Sequence, residues 1–388
     1  MKRLVVYSSK RCWQDPSSPS GWVCDGGFPL QMEALSQLFD ETVLVLPEAR
    51  SPRPTGAYPL DGRDLTVRAF REPPGRGFGR KLLWLVSGWP RVLWLWRQSG
   101  PDDALHIPVP GDVGLVALLL ALVRRQRVFV RYCATWGHPH TQAERFVQWL
   151  LVRAAGGRRV VLATGGGDQP PSRGNDDIHW IFSTTLSRTD LATAECDEAS
   201  AADGPKRLIS VGRLTRGKNV ATSIRALADV RQTHPDVVLD VVGHGPEGQR
   251  LQQLAADLGL EEGVIFHGNL DHEGVLSRLR QAHVLVFPTR VAEGFPKAVV
   301  EAMACGVPVV APQVSVLPHL LRDGGGRLID DVSPAALAAA VRELLDHPRD
   351  HTAVARRIAE GLTLEAWRDE IAGHLESAWD GVLRRAEA

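Results

Sequence analysis

Two periods alternate along this chain. A short run rich in Val and Leu at residues 3–8 reads as a strand, and a polar loop containing Gly and Pro follows, ending in Gly26-Gly27. A helical pattern then starts near Pro29, with apolar positions at Leu30, Ala34, Leu35 and Leu38, and leads to a strand at 42–46. Strand, loop, helix, strand is the grammar of a βαβ unit and a parallel sheet. Residues 47–79, rich in Pro, Gly and Arg, read as loops around short strands. Residues 81–98 read as a helix interrupted near Gly88 and Pro90, since proline breaks the hydrogen-bond ladder. Runs at 105–109, 114–124 and 127–133 repeat strand, helix, strand. A helix at 140–155 and strands at 159–163 and 179–183 complete this half.

Residues 189–205 are short of large apolar side chains and read as a linker. A second series follows. Strands at 207–211, 237–242, 264–267, 284–287 and 307–311 alternate with helices at 219–233, 247–258, 273–281 and 297–305. That alternation predicts a doubly wound α/β domain. A last helix at 363–387 carries Trp367 and Trp379. The expected organisation is an α/β domain at 1–190, a second at 205–362, and a terminal helix at 363–388. Open α/β sheets bind ligands outside the carboxyl ends of their strands, so function is expected in the strand-to-helix loops.

Composition narrows the class. A chain of 388 residues with 44% hydrophobic residues has room for two cores. Lys+Arg and Asp+Glu both number 45, a balance that argues against a dedicated nucleic-acid binder. Cys12, Cys24, Cys133, Cys196 and Cys305 are scattered, with no C-x-x-C pair, so neither metal-ligand spacing nor a disulfide framework is expected. A reducing, cytoplasmic compartment fits that usage. The apolar run at 4–7 is too short for the core of a signal peptide, and the longest run, 114–123, is too short to span a bilayer.

Three stretches carry chemistry. EGFPKAVVE, 293–301, lies between an apolar strand and a helix, with Pro296 expected in the first helical turn. Glu293 then sits in the loop and Glu301 about one and a half turns into the helix. Helix-start N–H groups near Lys297 can receive an anion or a hydroxyl oxygen. In isolation Glu293 would read as a helix cap and Glu301 as part of a solvated face. VGRLTRGKNV, 211–220, follows a strand and opens a helix, and its Arg213 and Lys218 can hold a polyphosphate. Alone it would be an ordinary basic turn. GHGP, 243–246, is again at a strand end, where small residues let a ligand approach the backbone; as a lone glycine motif it is weak.

All three fall at strand ends of one domain. Here the chain resembles the retaining nucleotide-sugar glycosyltransferases of family 4, which have the two-domain GT-B fold. The match runs over 207–331 and includes VGRL with GK, VVGHGP, VIFHGNL, VFPT, EGFPKAVVEAMACGVPVVAP and GGRLID. The resemblance implies two facing Rossmann-like α/β domains and a C-terminal helix crossing back to the first. It implies a UDP- or GDP-sugar donor whose diphosphate is neutralised by Arg213 and Lys218. Glu301 matches the carboxylate for the ribose hydroxyls. Glu293, Gly294 and Phe295 match the residues that hold the transferred sugar. Gly243 and Gly245 match the glycine turn beside the nucleotide, and Gly268 to Leu270 the loop near the base. Gly26-Gly27 resembles the glycine loop of the first domain that closes near the diphosphate. Retention of configuration is implied by the resemblance only.

Two fixed cations and helix-start N–H groups would stabilise the departing diphosphate in the transition state. No Asp-x-Asp element lies at a suitable strand end, so no metal or other cofactor is expected. Relatives often carry a His after a first-domain strand. Here RYCATWG, 131–137, places Ala134 or Thr135 there, and His138 is the nearest candidate for lining the reaction centre, against the plainer reading of a loop histidine. Arg290 also stands where a small residue is usual. The Trp- and Arg-rich segment 75–98 suits either a core-facing helix or a peripheral contact with the inner face of a membrane. A glycan, lipid-linked or small-molecule acceptor in polysaccharide or glycoconjugate assembly fits the resemblance. The rival readings are a sugar-nucleotide epimerase of the same fold and a noncatalytic nucleotide-sugar-binding scaffold.

Overall fold

The computed structural model describes residues 2–54, 56–71, 89–165, 175–182, 184–193, 204–347, 349–379, 381 and 383; of the side chains of 89, 91, 349 and 350 nothing is described. The chain divides into two compact units, Met1–Thr185 with Leu364–Ala388, and Leu186–Thr363. Residues 186–190, read from the sequence as the end of the first domain, thus cluster with the second.

The first unit is built on β1 (Arg3–Tyr7), β2 (Cys12–Gln14), β3 (Trp22–Cys24), β4 (Glu41–Glu48), β5 (Tyr58–Pro59), β6 (Leu65–Arg71), β7 (Ala104–Val109), β8 (Arg127–Trp136), β9 (Arg159–Gly165) and β10 (Ile178–Trp180). Its parallel strands lie in the order β6-β4-β1-β7-β8-β9-β10. Alternation of side chains along each strand fills both faces. Leu4 and Val6 of β1 meet Phe28, Met32 and Leu35 of α1 (Phe28–Ser36) on one face. Val5 and Tyr7 share the other face with Val113, Ala117 and Leu118 of α3 (Asp112–Arg124). That face also takes Leu95 of α2 (Trp89–Gln98) and Val147 and Leu151 of α4 (Gln142–Ala154). Of the helix expected at 81–98, only α2 lies within the described residues.

The polar stretch before Gly26-Gly27 is not all loop. β2 and β3 form an antiparallel hairpin with Cys12 opposite Cys24 and Gln14 opposite Trp22. Its turn is fixed locally: Asp15 accepts from the Ser17 N–H and hydroxyl, and the Asp15 N–H donates to the Gly21 carbonyl. Three-residue strands are too short to show a period of two against such a turn.

In the second unit, α5 (Arg188–Thr193) precedes a single sheet. Its strands are β11 (Arg207–Val211), β12 (Val238–Val242), β13 (Val264–Gly268), β14 (Val284–Val286), β15 (Val309–Pro312) and β16 (Gly326–Ile329). They lie in the order β13-β12-β11-β14-β15-β16, all parallel. This is the doubly wound arrangement with its reversal between β11 and β14. The helices are α6 (Val220–Val230), α7 (Gly248–Asp257), α8 (His272–Arg280), α9 (Lys297–Ala304), α10 (Leu317–Leu321), α11 (Pro334–Asp346) and α12 (Arg349–Glu360). The sequence reading ends this series at 307–311; β16 and α11 extend it. α11 is capped by Ser333, has Pro334 in its first turn, and buries Leu337, Val341 and Leu344. Where a linker is expected at 189–205, α5 covers the first residues, and 194–203 lie outside those described.

α13 (Leu364–Ala378) belongs to the first unit. Trp367, Ile371, Leu375 and Trp379 join Leu4, Phe129 and Leu162 in one core, and the Trp379 indole N–H donates to the Arg158 carbonyl at 2.9 Å. Among the described residues no helix is long and apolar enough to cross a membrane.

Candidate active site

The loops after β11, β12, β13 and β14 meet at the carboxyl end of the second sheet. Backbone hydrogen bonds tie them together: Leu214 N–H to His244 carbonyl (3.1 Å), Glu247 N–H to Leu214 carbonyl (3.1 Å), Gly243 N–H to Gly268 carbonyl (2.7 Å) and Arg290 N–H to Gly217 carbonyl (2.8 Å). The approach of the first two loops depends on glycine. A Cβ on Gly243 would lie 2.0 Å from the Gly212 carbonyl oxygen, and one on Gly245 2.3 Å from that of Leu214. Gly243 also has a φ of +130°, which L side chains rarely adopt. These glycines let two protein backbones touch, a reason distinct from the approach of a ligand.

Lys218 ends a short 3-10 turn, Arg216–Lys218, and Asn219 follows at φ 55° as the N-cap of α6. The Lys218 ammonium lies 2.5 Å from Glu293 Oε1 and 5.0 Å from the centre of the Phe287 ring. The pair bridges the loops after β11 and β14, the two strands where the sheet order reverses. Glu293 is held from two more sides. Thr289 Oγ1 lies 3.3 Å from Oε1, and the Ser315 hydroxyl donates to the Glu293 carbonyl at 2.5 Å. The pair is mostly shielded from water, which strengthens its mutual attraction.

Glu301 is buried on α9. Its Oε1 lies 3.7 Å from His272 Nδ1, and His272 Nε2 lies 3.7 Å from Asp190 Oδ2. Asp190 in turn accepts from the Ser187 N–H (2.7 Å) and hydroxyl (2.8 Å). The approach of Asp190 raises the His272 pKa above the ordinary histidine value, against the effect of burial and with the help of Glu301 and Glu273. Burial works to raise the Asp190 pKa, but the nearby His272 and the hydrogen bonds from Ser187 outweigh it and lower it.

The remaining residues are placed as follows. Arg213 is exposed on the loop after β11. Gly294, Phe295 and Lys297 are half-buried around the start of α9, where Pro296 is the N-cap residue and not part of the first turn, and the Lys297 N–H donates to the Phe295 carbonyl. Gly268 ends β13 with φ 66°, and Leu270 follows it half-buried. Gly26, Gly27 and His138 belong to the first unit. Gly27 is the N-cap of α1, Gly26 follows Asp25, which pairs with Lys10 at 3.2 Å, and His138 is exposed just after β8. In the Trp- and Arg-rich segment, 75–88 lie outside the described residues. The described part, α2, buries Leu95, whose carbonyl accepts from the Tyr7 hydroxyl, while Arg124 stacks 3.6 Å from the Trp96 ring centre.

Thr289, Ser315, His272 and Asp190 were not among the expected site residues. VFPT contains Thr289, but no local pattern links the other three to Glu293 or Glu301. Among the described residues, no cluster of three or more His, Cys, Asp or Glu side chains is placed to hold a metal ion.

The parallel sheet of each unit and its strand order agree with the GT-B fold of solved structures. HepE of Anabaena, solved in complex with UDP and glucose, superposes with a TM-score of 0.67 at 19% identity, covering 97% of this chain and 100% of that one. WaaG, a glycosyltransferase involved in lipopolysaccharide biosynthesis, gives 0.61 at 15% identity over 98% and 100%. Residues 194–360 match the family described as Glycosyl transferases group 1.

Two curated relatives extend the match. The GDP-mannose-dependent alpha-(1-6)-phosphatidylinositol monomannoside mannosyltransferase of Mycolicibacterium smegmatis is 31% identical over 244 residues, 51% of this chain and 64% of that protein. The D-inositol 3-phosphate glycosyltransferase of Corynebacterium kroppenstedtii is 32% identical over 320 residues, 76% and 65%. The chain thus spans just under two thirds of each.

Proposed function

We propose that the chain transfers a sugar from a UDP- or GDP-sugar to an acceptor, with retention of configuration and without a metal. The observation that carries this reading is the Lys218–Glu293 pair across the reversal of the sheet, with Glu301 on the adjoining helix. In the reaction the anomeric carbon exchanges its bond to the diphosphate oxygen for one to an acceptor hydroxyl. Negative charge then gathers on the leaving nucleoside diphosphate. Arg213 and Lys218 offset it, with N–H groups at the start of α9, and such fixed donors act most strongly in the transition state. Glu301 receives the ribose hydroxyls, and Glu293, Gly294 and Phe295 hold the sugar.

The acceptor is a glycan, lipid-linked or small-molecule hydroxyl bound by the first unit, whose Gly26-Gly27 loop serves the donor diphosphate and whose His138 lines the reaction centre. Bacterial polysaccharide or glycoconjugate assembly, at the cytoplasmic side of the membrane, is the setting this reading favours. The relatives supply the choice of donors: one is GDP-mannose-dependent by name, and a structural neighbour is solved with UDP.

A panel of nucleotide sugars and free nucleoside diphosphates, scored by thermal shift, tests the reading. A ligand that binds only the folded protein raises the melting point by mass action, by about 2.7 kcal/mol of stability at a hundredfold excess over Kd. One UDP- or GDP-sugar should stand out, with the shift unchanged by EDTA. Silence across the panel sinks the proposal, and binding that EDTA abolishes sinks its metal-free form.

A further inference from the structure

The contact between Glu301 and His272 extends the donor site in a direction the motif EGFPKAVVE does not contain. His272 is the first residue of α8, an unfavourable place for a cation because the helix N-terminus is itself positive. Yet carboxylates approach it from three elements. Asp190 comes from α5, Glu301 from α9, and Glu273 stands beside it on α8, where Asp271 caps the helix. Asp190 is itself fixed by both donors of Ser187. The result is a row of carboxylate, imidazole and carboxylate, shielded from solvent at each member, with the two imidazole nitrogens each turned toward one acid.

We propose that His272 is a positioning residue: its imidazolium, held by Asp190, fixes the carboxylate of Glu301 in the orientation that receives the ribose hydroxyls of a nucleoside diphosphate. The proposal rests on the reading of Glu301 as the ribose ligand. It also gives α5 a role. This short helix, in a stretch that reads as a linker, is a clamp on the donor site through one histidine.

The consequence is a pH dependence of donor affinity. The surrounding acids hold the His272 pKa above the ordinary value, so the imidazolium persists to higher pH than that of an ordinary histidine. As pH rises past that raised value the imidazole becomes neutral, its hold on Glu301 weakens, and nucleoside-diphosphate affinity falls. Asp190 is the main source of the shift, so neutralising it moves the midpoint to lower pH.

Calorimetric titration of the full chain with UDP and with GDP, between about pH 6.5 and 9, tests this, because histidine titrates there when its pKa is raised. In the unaltered protein affinity should fall roughly three- to tenfold across the range, a tenfold change corresponding to one pKa unit of coupling. His272→Gln should bind more weakly by a similar factor at the low end and show no midpoint. Comparing the two proteins at each pH removes the diphosphate's own titration. Asp190→Asn should keep the fall but shift its midpoint downward. A His272→Gln profile parallel to the unaltered one overturns the proposal while leaving the donor site standing. An Asp190→Asn midpoint that does not move overturns the part played by α5. If neither diphosphate binds the unaltered protein, the donor-site reading falls, and this proposal with it.

Discussion

Lys218 and Glu293 share one ion pair, so neither can be substituted without releasing the other. Lys218→Ala should lower transfer by roughly 10²-fold or more, the usual loss when a transition-state charge donor is removed, and Arg213→Ala should do likewise. The two cations differ in setting: Arg213 is exposed, whereas Lys218 is enclosed with Glu293 and Phe287. Melting of Lys218→Met, Glu293→Gln and the double variant should therefore reveal a coupling of about 0.5–3 kcal/mol, as contacting residues show. Additive effects would remove the pair as an energetic unit. Calorimetry with free nucleoside diphosphate separates the glutamates. Glu301→Gln should weaken binding by about 1.5–3 kcal/mol, the worth of a hydrogen bond to a charged group. Glu293→Gln, which leaves Lys218 without its carboxylate competitor, should not weaken it at all but should lower turnover of the intact donor. Equal loss in both variants would show this division to be mistaken.

Arg213, Lys218, Glu293 and Glu301 stand out as candidates in the sequence because each sits in a stretch whose neighbours along the chain mark it. Asp190 and His272 were not. They lie 82 positions apart (272 minus 190), and only the folded unit sets one against the other. Ser315 reaches Glu293 from the turn after β15 in the same way, across 22 positions.

At the scale of elements the sheet of the second unit is pinned in two ways, and only one shows in the pattern. The alternation of apolar runs located all the strands from β11 to β15. It could not show Asp240, which lies in the middle of the apolar strand β12, buried, between Arg207 of β11 (3.1 Å) and His267 of β13 (2.6 Å). A buried carboxylate with two partners on flanking strands clamps three strands in register. β16 escaped because its four residues, Gly326–Ile329, follow a run of glycines and carry an arginine. The glycines of GHGP were read for a ligand, while their space is taken by backbone. Gly243→Ala tests which matters. It puts a Cβ 2.0 Å from a carbonyl oxygen at a φ of +130°, so the loop must move. Stability should fall by more than about 2 kcal/mol, in the range of strained backbone positions combined with overpacking. Loss of nucleoside-diphosphate binding with stability intact would favour a purely ligand-facing role instead.

Each unit of the whole molecule has its own core, and the chain supplies a way to watch one without the other. None of its 11 tryptophans lies in 186–363, so all belong to the first unit and tryptophan fluorescence reports that unit's unfolding. This unit carries an acid-sensitive group. His106 on β7 is fully buried, stacked 4.1 Å from the Phe129 ring with its Nδ1 3.4 Å from the Phe129 carbonyl. Burial, with the charge of Arg131 adding to it, pushes its pKa well below the ordinary histidine value. The sign follows from proton counting. Below about pH 6.5 the unfolded chain binds a proton at this residue and the folded one does not. Stability of the first unit therefore falls as pH drops through that range, by up to about 1.4 kcal/mol per pH unit from this side chain. Above it the residue is neutral in both states and contributes no slope. His106→Phe keeps the stacked ring, removes the titration, and should flatten the decline in urea midpoints between about pH 7 and 5. His374 of α13, whose pKa burial and the neighbouring His179 also lower, leaves a smaller slope behind. An unchanged pH profile in His106→Phe would mean that His106 takes up its proton without unfolding, and that its enclosure between β8 and the core opens more readily than its burial indicates.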